Sequence, residues 1–156
     1  MFIAMPNLDG SFTCTLFMPF EGAESFEKLA TEEATRQFFT AHFPSVMPDI
    51  DNLCGDFFRN PTSALVTIKC YPWTYWDKVA LVGDSAHAVV PFFGQGMNAG
   101  FEDISVLNSL MEAHGDDWEA IFTKYQEARK PNADAIAELS YRNFVEMSTK
   151  TADPKF

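Results

Sequence analysis

The residues best suited to chemistry lie in one run, from Gly83 to Asp103, which combines a carboxylate, a Pro-aromatic loop and a glycine-rich segment. Asp84 follows an apolar stretch, and a carboxylate accepts hydrogen bonds strongly from hydroxyl groups. Gly94 and Gly96 allow the backbone to approach a flat ring closely, and a helix that starts near Met97 would offer unpaired amides. The run therefore predicts a site that holds both a hydroxyl-bearing chain and a flat ring, as in a flavin.

Two other chemistries compete for the same run. Residues Gly94–Ala99 fit the GxGxxG/A pattern of dinucleotide binding, but nine residues separate them from the preceding strand, and no second strand ending in an acidic residue follows. Gly83-Asp84-Ser85 resembles the start of one lipase class with Ser85 as nucleophile, but no histidine follows His114 to act as its base. A purely structural turn and helix cap is the third alternative.

Composition limits the remaining function classes. With 156 residues and 47% hydrophobic content, the chain has the size of one domain with a real core. A net charge of -11 without a basic block argues against a nucleic-acid partner. The three cysteines lack CxxC spacing, which predicts no metal site, and no apolar run is long enough for a membrane segment. We expect a cytoplasmic protein, and the sequence leaves its oligomeric state open.

The elements that would position the run form a mixed α/β (α+β) pattern. A hairpin is predicted from strands at Phe2–Pro6 and Phe12–Phe17, joined through Asp9-Gly10. Periodicity predicts an amphipathic helix over Glu24–Phe43 and a short helix from Asp49 to about Arg59. A β-rich segment at Ala64–Tyr71 would be followed by a fully buried strand at Val79–Asp84, which delivers Asp84 at its carboxyl end.

Two long helical patterns follow the run. The first covers Met97–His114 and should end at Gly115 in a left-handed cap. Asp117 should cap the second, which covers Trp118–Thr149. Pro131 lacks an amide hydrogen and is expected to break this pattern into two helices that meet near Lys130.

Residues Leu81–His87, Pro91 and Gly94–Gly100 together resemble the second flavin motif of the class A FAD-dependent aromatic hydroxylases. The resemblance implies a fragment of that fold: residues 1–76 as part of the substrate-binding domain and its β-sheet, 77–115 as the strand-turn-helix that completes the FAD site, and 116–156 as C-terminal helices. The family's N-terminal GxGxxG half would lie outside the chain. The implied cofactor-binding residues are Gly83, Asp84, Pro91, Gly94, Gln95, Gly96, Met97 and Asn98.

Within this class, Pro91–Asp103 and Tyr141–Met147 are most similar to the kynurenine 3-monooxygenase family. That resemblance implies hydroxylation of L-kynurenine to 3-hydroxykynurenine with NADPH and dioxygen, in tryptophan catabolism. The flavin would perform the chemistry, so no catalytic side chain is assigned. The implied substrate-binding residues are Pro91, Phe92, Phe93, Asn143, Glu146 and Met147.

We expect FAD and NADPH binding to need the N-terminal half as well, so that the fragment alone is inactive. Membrane association of a full-length parent would depend on a further C-terminal segment. Two functions stay open as alternatives: another class A aromatic-ring hydroxylase, and a non-catalytic module that binds a protein partner through exposed aromatic side chains.

Overall fold

The computed structural model describes residues 1–150, which fall into two compact units, one formed by Met1–Ser63 and the other beginning at Ala64. The mixture of helices with small sheets confirms the predicted α+β class. The division at residues 76 and 115 by functional role stays a prediction. Among the described residues, no helix is both long and apolar enough to cross a membrane.

The first unit opens with the predicted hairpin. Strand β1 (Phe2–Pro6) pairs antiparallel with β2 (Phe12–Leu16), with Phe2 opposite Leu16 and Pro6 opposite Phe12. Gly10 adopts a φ of 86°, which a residue with a side chain rarely takes, and this closes the turn. The hairpin prediction is confirmed.

The predicted helix over Glu24–Phe43 is shorter than expected. A 3₁₀ helix covers Phe26–Leu29, and helix α1 begins only at Glu32 and ends at His42. The Thr31 hydroxyl accepts a hydrogen bond from the Ala34 amide at 3.2 Å, so the local cap sets the start of α1. A second 3₁₀ turn at Met47–Asp49 leads into α2 at Leu53–Arg59, close to the predicted short helix.

The second unit begins with less strand than predicted. Strands β3 (Thr74–Tyr75) and β4 (Val79–Ala80) form a two-residue antiparallel ladder. The predicted strand over Ala64–Tyr71 is wrong, as is the extension of β4 from Leu81 to Asp84. An extended segment needs a hydrogen-bonding neighbour, and the only backbone bond found between Ala64–Tyr71 and another segment in the described chain joins Ile68 N to Ala88 O at 2.8 Å.

Helices α3 (Asp84–His87) and α4 (Gly96–His114) contain several of the predicted cofactor-binding residues. The prediction of α4 is confirmed, and Gly115 takes the expected positive φ of 59°, although its ψ of -120° lies outside the left-handed helical region. Asp117 caps α5 as predicted, since its Oδ1 accepts a hydrogen bond from the Ala120 amide at 3.1 Å.

Helix α5 runs without interruption from Trp118 to Val145, so the predicted break at Pro131 is wrong. Pro131 lies on the exposed side of the helix, as does Glu127, whose carbonyl loses its amide partner and can bond to water. The opposite side is buried at intervals of four residues and holds the helix together through packing. The buried residues on that side include Ile121, Tyr125, Arg129, Ala133 and Ala137. A π-helical turn at Glu146–Lys150 follows.

The core of the second unit fixes the segment that leads into the site. Trp73, Ala86, Tyr125 and Ala133 form a buried cluster. The Tyr125 hydroxyl donates to the Leu81 carbonyl at 3.0 Å, and the Trp73 indole donates to the Cys70 carbonyl at 3.0 Å. The Tyr125 bond attaches α5 to the backbone just before Gly83, and the Trp73 bond fixes the loop between Cys70 and Trp73.

Candidate functional site

An open groove of about 460 Å³ lies in the second unit, between the Gly83–Asp84 turn and the start of α4. Pockets for small ligands commonly have volumes of about 300–1,000 Å³. Six of the eight predicted cofactor-binding residues line this groove, together with Val89 and Gly100. The lining residues are Gly83, Asp84, Val89, Pro91, Gly94, Gly96, Met97 and Gly100.

The first wall of the groove is the turn at Gly83. Gly83 has a φ of 60° and a ψ of -139°, a conformation that strongly favours glycine. Asp84, the next residue, is exposed, and its carboxylate has no hydrogen bond or ion pair within residues 1–150. The groove therefore presents an open, acceptor-only group at its edge.

The second wall is the loop and helix start after Pro91. A 3₁₀ turn at Pro91–Phe93 ends in Gly94, which has left-handed φ and ψ of 66° and 22°. Helix α4 then begins at Gly96 without a side-chain cap, so its first amides have no acceptor in the preceding turn. This wall offers backbone donors and the positive end of a helix dipole.

Gln95 and Asn98 are the two predicted cofactor-binding residues that do not line the groove. Their side chains bond to each other, with Asn98 Nδ2 donating to Gln95 Oε1 at 2.9 Å. The backbone amide of Asn98, in contrast, belongs to the uncapped first turn of α4. Any contact of these residues with a ligand stays a prediction.

Behind the groove, Asp103 is fully buried on α4 and accepts hydrogen bonds from three separate groups. Its Oδ2 accepts from the Gly83 amide at 2.9 Å and lies 2.6 Å from His87 Nε2. Its Oδ1 accepts from Arg129 Nε at 2.7 Å. The carboxylate thus joins the Gly83 turn, α3 and α5 to α4.

Arg129 extends this network along α4. Its Nη2 donates to the Ala99 carbonyl at 3.2 Å, and its Nη1 lies 2.7 Å from Glu102 Oε2, an ion pair whose geometry falls short of a hydrogen bond. The side chain is 2% exposed, so its charge is compensated inside the protein by Asp103 and at the edge by Glu102.

The ionisation of Asp103 follows from these contacts. Burial alone would raise the pKa of its carboxyl group, but the hydrogen bonds from Arg129, the Gly83 amide and His87 outweigh burial and hold the pKa below its usual value. Burial raises the pKa of the neighbouring Tyr125 hydroxyl, and the negative charge of Asp103 raises it further. The network is therefore built around an ionised Asp103.

The arrangement of Ser85 and His87 does not suit ester hydrolysis. Ser85 Oγ donates to the Val82 carbonyl at 2.8 Å and accepts from the Val82 amide at 3.2 Å. His87 is 4% exposed, with Nε2 directed at Asp103 and its ring 5.1 Å from that of Trp73. A nucleophilic serine needs a histidine within hydrogen-bond reach, and this geometry instead gives both residues structural partners.

The structure brings some of the predicted substrate-binding residues together. Asn143 Nδ2 donates a hydrogen bond to the Phe92 carbonyl, and the Phe92 ring stacks on Phe144 with centroids 4.7 Å apart. Phe92 is consequently buried, whereas Phe93 is 46% exposed and Pro91 lines the groove. These contacts attach the end of α5 to the Pro-aromatic loop.

The last two predicted substrate-binding residues lie in the π-helical turn after α5. Glu146 is exposed, and its Oε1 lies 3.3 Å from Lys150 Nζ, while Met147 is half-buried. Neither residue lines the groove in the described structure. Their roles toward a substrate stay predictions.

Sequence reasoning missed the parts that Asp103 and Arg129 play. Arg129 lies one turn from both Tyr125 and Ala133, so a charged residue occupies an otherwise apolar helix face. Such a position is a signal for a buried ion pair. Its partner lies 26 residues away, and spacing alone could not identify it.

Residues 67–140 match the family described as FAD binding domain, and this range contains the whole groove and the Asp103 network. The predicted flavoprotein resemblance is confirmed. The FAD binding domain match ends at Ser140, so it leaves out the predicted substrate-binding residues of the α5 end.

The chain is also similar along all 156 residues to proteins named kynurenine 3-monooxygenase. It is 71% identical to the one from Christiangramia forsetii, 49% to the one from Dictyostelium discoideum and 44% to one from Legionella pneumophila. It spans 35%, 36% and 35% of these proteins, which is about a third of each. The similarity therefore covers the whole chain and a limited part of each relative.

Proposed function

We propose that the chain forms part of an FAD-dependent monooxygenase that converts L-kynurenine to 3-hydroxykynurenine with NADPH and dioxygen. The observation that carries the proposal is the open Asp84 carboxylate opposite an uncapped helix start, in one groove within the FAD binding domain match. The substrate is proposed from the names of the similar proteins.

The groove residues fit FAD. Asp84 would accept hydrogen bonds from ribitol hydroxyls, since its carboxylate has no other partner among the described residues. A β-carbon added at Gly94 would meet no atom within 4 Å, so this position owes its glycine to its positive φ. The amides of Met97 and Asn98 would face the pyrimidine end of the ring, where the helix dipole favours negative charge.

When bound, FAD supplies the redox chemistry that activates dioxygen. The residues of this chain would then bind and orient the cofactor and the substrate, and would exclude water from the site. Pro91 and Met97 would form apolar walls beside the ring, and Phe93 has exposed surface available for the same purpose. We propose no acid, base or nucleophile among these side chains.

Asn143 is suited to two tasks at once. Its Nδ2 holds the Phe92 carbonyl, which fixes the Pro-aromatic loop, while its Oδ1 has no partner within residues 1–150. A carboxamide oxygen can accept a hydrogen bond from the ammonium group of an amino-acid substrate without adding charge. Glu146 and Met147 are proposed to complete this side of the substrate site.

The adenosine half of FAD and the NADPH contacts are proposed to involve residues outside this chain, because the chain spans about a third of its relatives. A suitable test protein is a chimera in which the chain replaces the matching segment of the Christiangramia forsetii protein. The chain and the segment that it replaces are similar over all 156 residues, which supports correct folding of the chimera.

In the chimera, Asp84→Asn should raise the Kd for FAD by about tenfold or more, because hydrogen bonds to a charged acceptor are worth about 1.5–3 kcal/mol. FAD titration by fluorescence measures the effect, and product analysis with L-kynurenine measures turnover. Asp116→Asn is the matched control, since Asp116 is also an exposed carboxylate but does not line the groove. Equal FAD affinity in both variants would contradict the proposal.

A substrate panel separates this function from that of another class A hydroxylase. The chimera should oxidise L-kynurenine in preference to hydroxybenzoates and phenols that lack an amino-acid group. Asn143→Leu should raise the KM for L-kynurenine by a larger factor than the Kd for FAD, because its hydrogen-bond partner Phe92 belongs to the Pro91–Phe93 loop but does not itself line the groove. A preference for a substrate without an amino-acid group would instead support the alternative.

A further inference from the structure

The Gly83–Asp84 turn is held from behind by one buried side chain. Asp103 is 0% exposed, and its Oδ2 accepts the Gly83 amide hydrogen at 2.9 Å. The turn itself is strained for any residue but glycine, with a φ of 60°. Asp103, a fixed acceptor on α4, therefore orients the Val82–Gly83 peptide group. Through Gly83, it also sets the direction of Asp84, the next residue.

The same carboxylate connects the two walls of the groove. Asp103 lies on α4, whose first turn forms the second wall, and a β-carbon added at Gly100 would lie 3.8 Å from Gly83 Cα. Arg129 bonds both to Asp103 and to the Ala99 carbonyl. The spacing between the turn and the helix start is consequently set by a network of ionised and hydrogen-bonded groups.

Only a carboxylate satisfies all the donors of this network. The Gly83 amide and Arg129 Nε are obligate donors, and they meet different oxygens of Asp103. An asparagine in place of Asp103 would direct its own NH2 group at one of them in either orientation of the carboxamide. One donor would then be left buried without an acceptor.

We propose that Asp103 is a positioning residue for flavin binding, which acts through Gly83 by orienting the Asp84 carboxylate toward the groove. The inference rests on the proposed function, because it requires that Asp84 contacts FAD. Arg129 and His87 support Asp103 and have no contact with the ligand.

The test is a double-mutant cycle in the full-length chimera. Asp103→Asn should raise the Kd for FAD by about tenfold, in a protein that retains its near-UV circular dichroism. If Asp103 acts through Asp84, then Asp103→Asn combined with Asp84→Asn should bind FAD about as weakly as Asp84→Asn alone. The visible circular dichroism of bound flavin, recorded at saturating FAD, should also change in Asp103→Asn.

Thr35→Val is the control for general loss of stability. It removes a buried hydrogen bond in the first unit, from Thr35 Oγ1 to the Leu29 carbonyl at 3.3 Å. If Thr35→Val lowers the Tm by about as much as Asp103→Asn does, it should still keep the Kd for FAD within about twofold of that of the unsubstituted chimera. If Asp103→Asn does not fold, Arg129→Lys keeps a cation but loses the fixed Nε hydrogen bond, and the same non-additivity with Asp84→Asn is expected.

The outcomes separate the two proposals. If Asp84→Asn weakens FAD binding but Asp103→Asn does no more than Thr35→Val, the positioning role is overturned and the proposed function stands. The positioning role would also be overturned if the double variant raised the Kd for FAD by the product of the factors measured for Asp84→Asn and Asp103→Asn alone. If Asp84→Asn binds FAD normally, the proposed function fails, and the positioning role fails with it.

Discussion

At the scale of single residues, the molecule places two carboxylates in opposite environments close together in the fold. Asp84 is exposed and open on the groove, whereas Asp103 is buried and engaged by three groups. Asp84 is suited to contact a ligand, and Asp103 is suited to hold the backbone next to Asp84. The run Gly83–Asp103 identified the groove side of this arrangement because glycines, proline and Asp84 lie close together in the sequence.

The Asp103 network could not be predicted in the same way. Its members come from a turn and three helices, and Arg129 lies 26 positions from Asp103. Their hydrogen bonds depend on how α4 and α5 pack, which periodicity alone does not specify. The sequence indicated a charged residue on the buried face of α5 but not the acceptor that it contacts.

The lowered pKa of Asp103 predicts a pH dependence of stability. A carboxyl group with a depressed folded-state pKa contributes stability that is fully present above its usual pKa of about 3.9 and is lost as pH falls through the lower folded value. Urea unfolding of the chain between pH 7 and pH 2 should show this loss. Asp103→Asn should be less stable at pH 7 and should lose less stability below pH 4. An unchanged acid dependence in that variant would contradict the assignment of an ionised Asp103.

At the scale of elements, the predictions held where local signals decide the structure. The β1–β2 turn, α4 and the Asp117 cap follow from residues within a few positions of each element. The extended segments at Ala64–Tyr71 and Leu81–Asp84 could not be decided locally, because a strand forms only where another segment accepts its hydrogen bonds. In the described residues, each sheet has two strands.

Helix α5 shows the opposite case, in which packing overrides a local breaker. Pro131 is exposed, so replacing it with alanine restores an amide donor to a continuous helix without disturbing the buried face. Pro131→Ala should raise the free energy of unfolding by about 1–3 kcal/mol, measured by urea denaturation. Pro61→Ala, at an exposed non-helical position, should leave stability unchanged or lower it by about 0.4–1 kcal/mol. A less stable Pro131→Ala chain would indicate that α5 bends there in solution.

At the scale of the whole molecule, the described chain contains one unit with a hairpin and short helices, and another that holds the complete groove and its supporting network. The FAD binding domain match lies in the second unit. The chain spans about a third of its relatives, so the proposed reaction belongs to a larger assembly of residues than these 156. In the proposed function, this chain supplies one side of the FAD site, and the end of α5 holds the adjoining Pro91–Phe93 loop.

We propose that this groove binds FAD as part of an L-kynurenine hydroxylase. The most direct test is the flavin content of the purified chimera with the Christiangramia forsetii protein, determined from its visible absorption, together with product analysis after incubation with L-kynurenine, NADPH and dioxygen. We expect close to one FAD per chain and 3-hydroxykynurenine as product, with the FAD content and the product yield both lowered in Asp84→Asn and unchanged in Asp116→Asn. A folded chimera that binds no FAD, or one that binds FAD equally well without the Asp84 carboxylate, would contradict it.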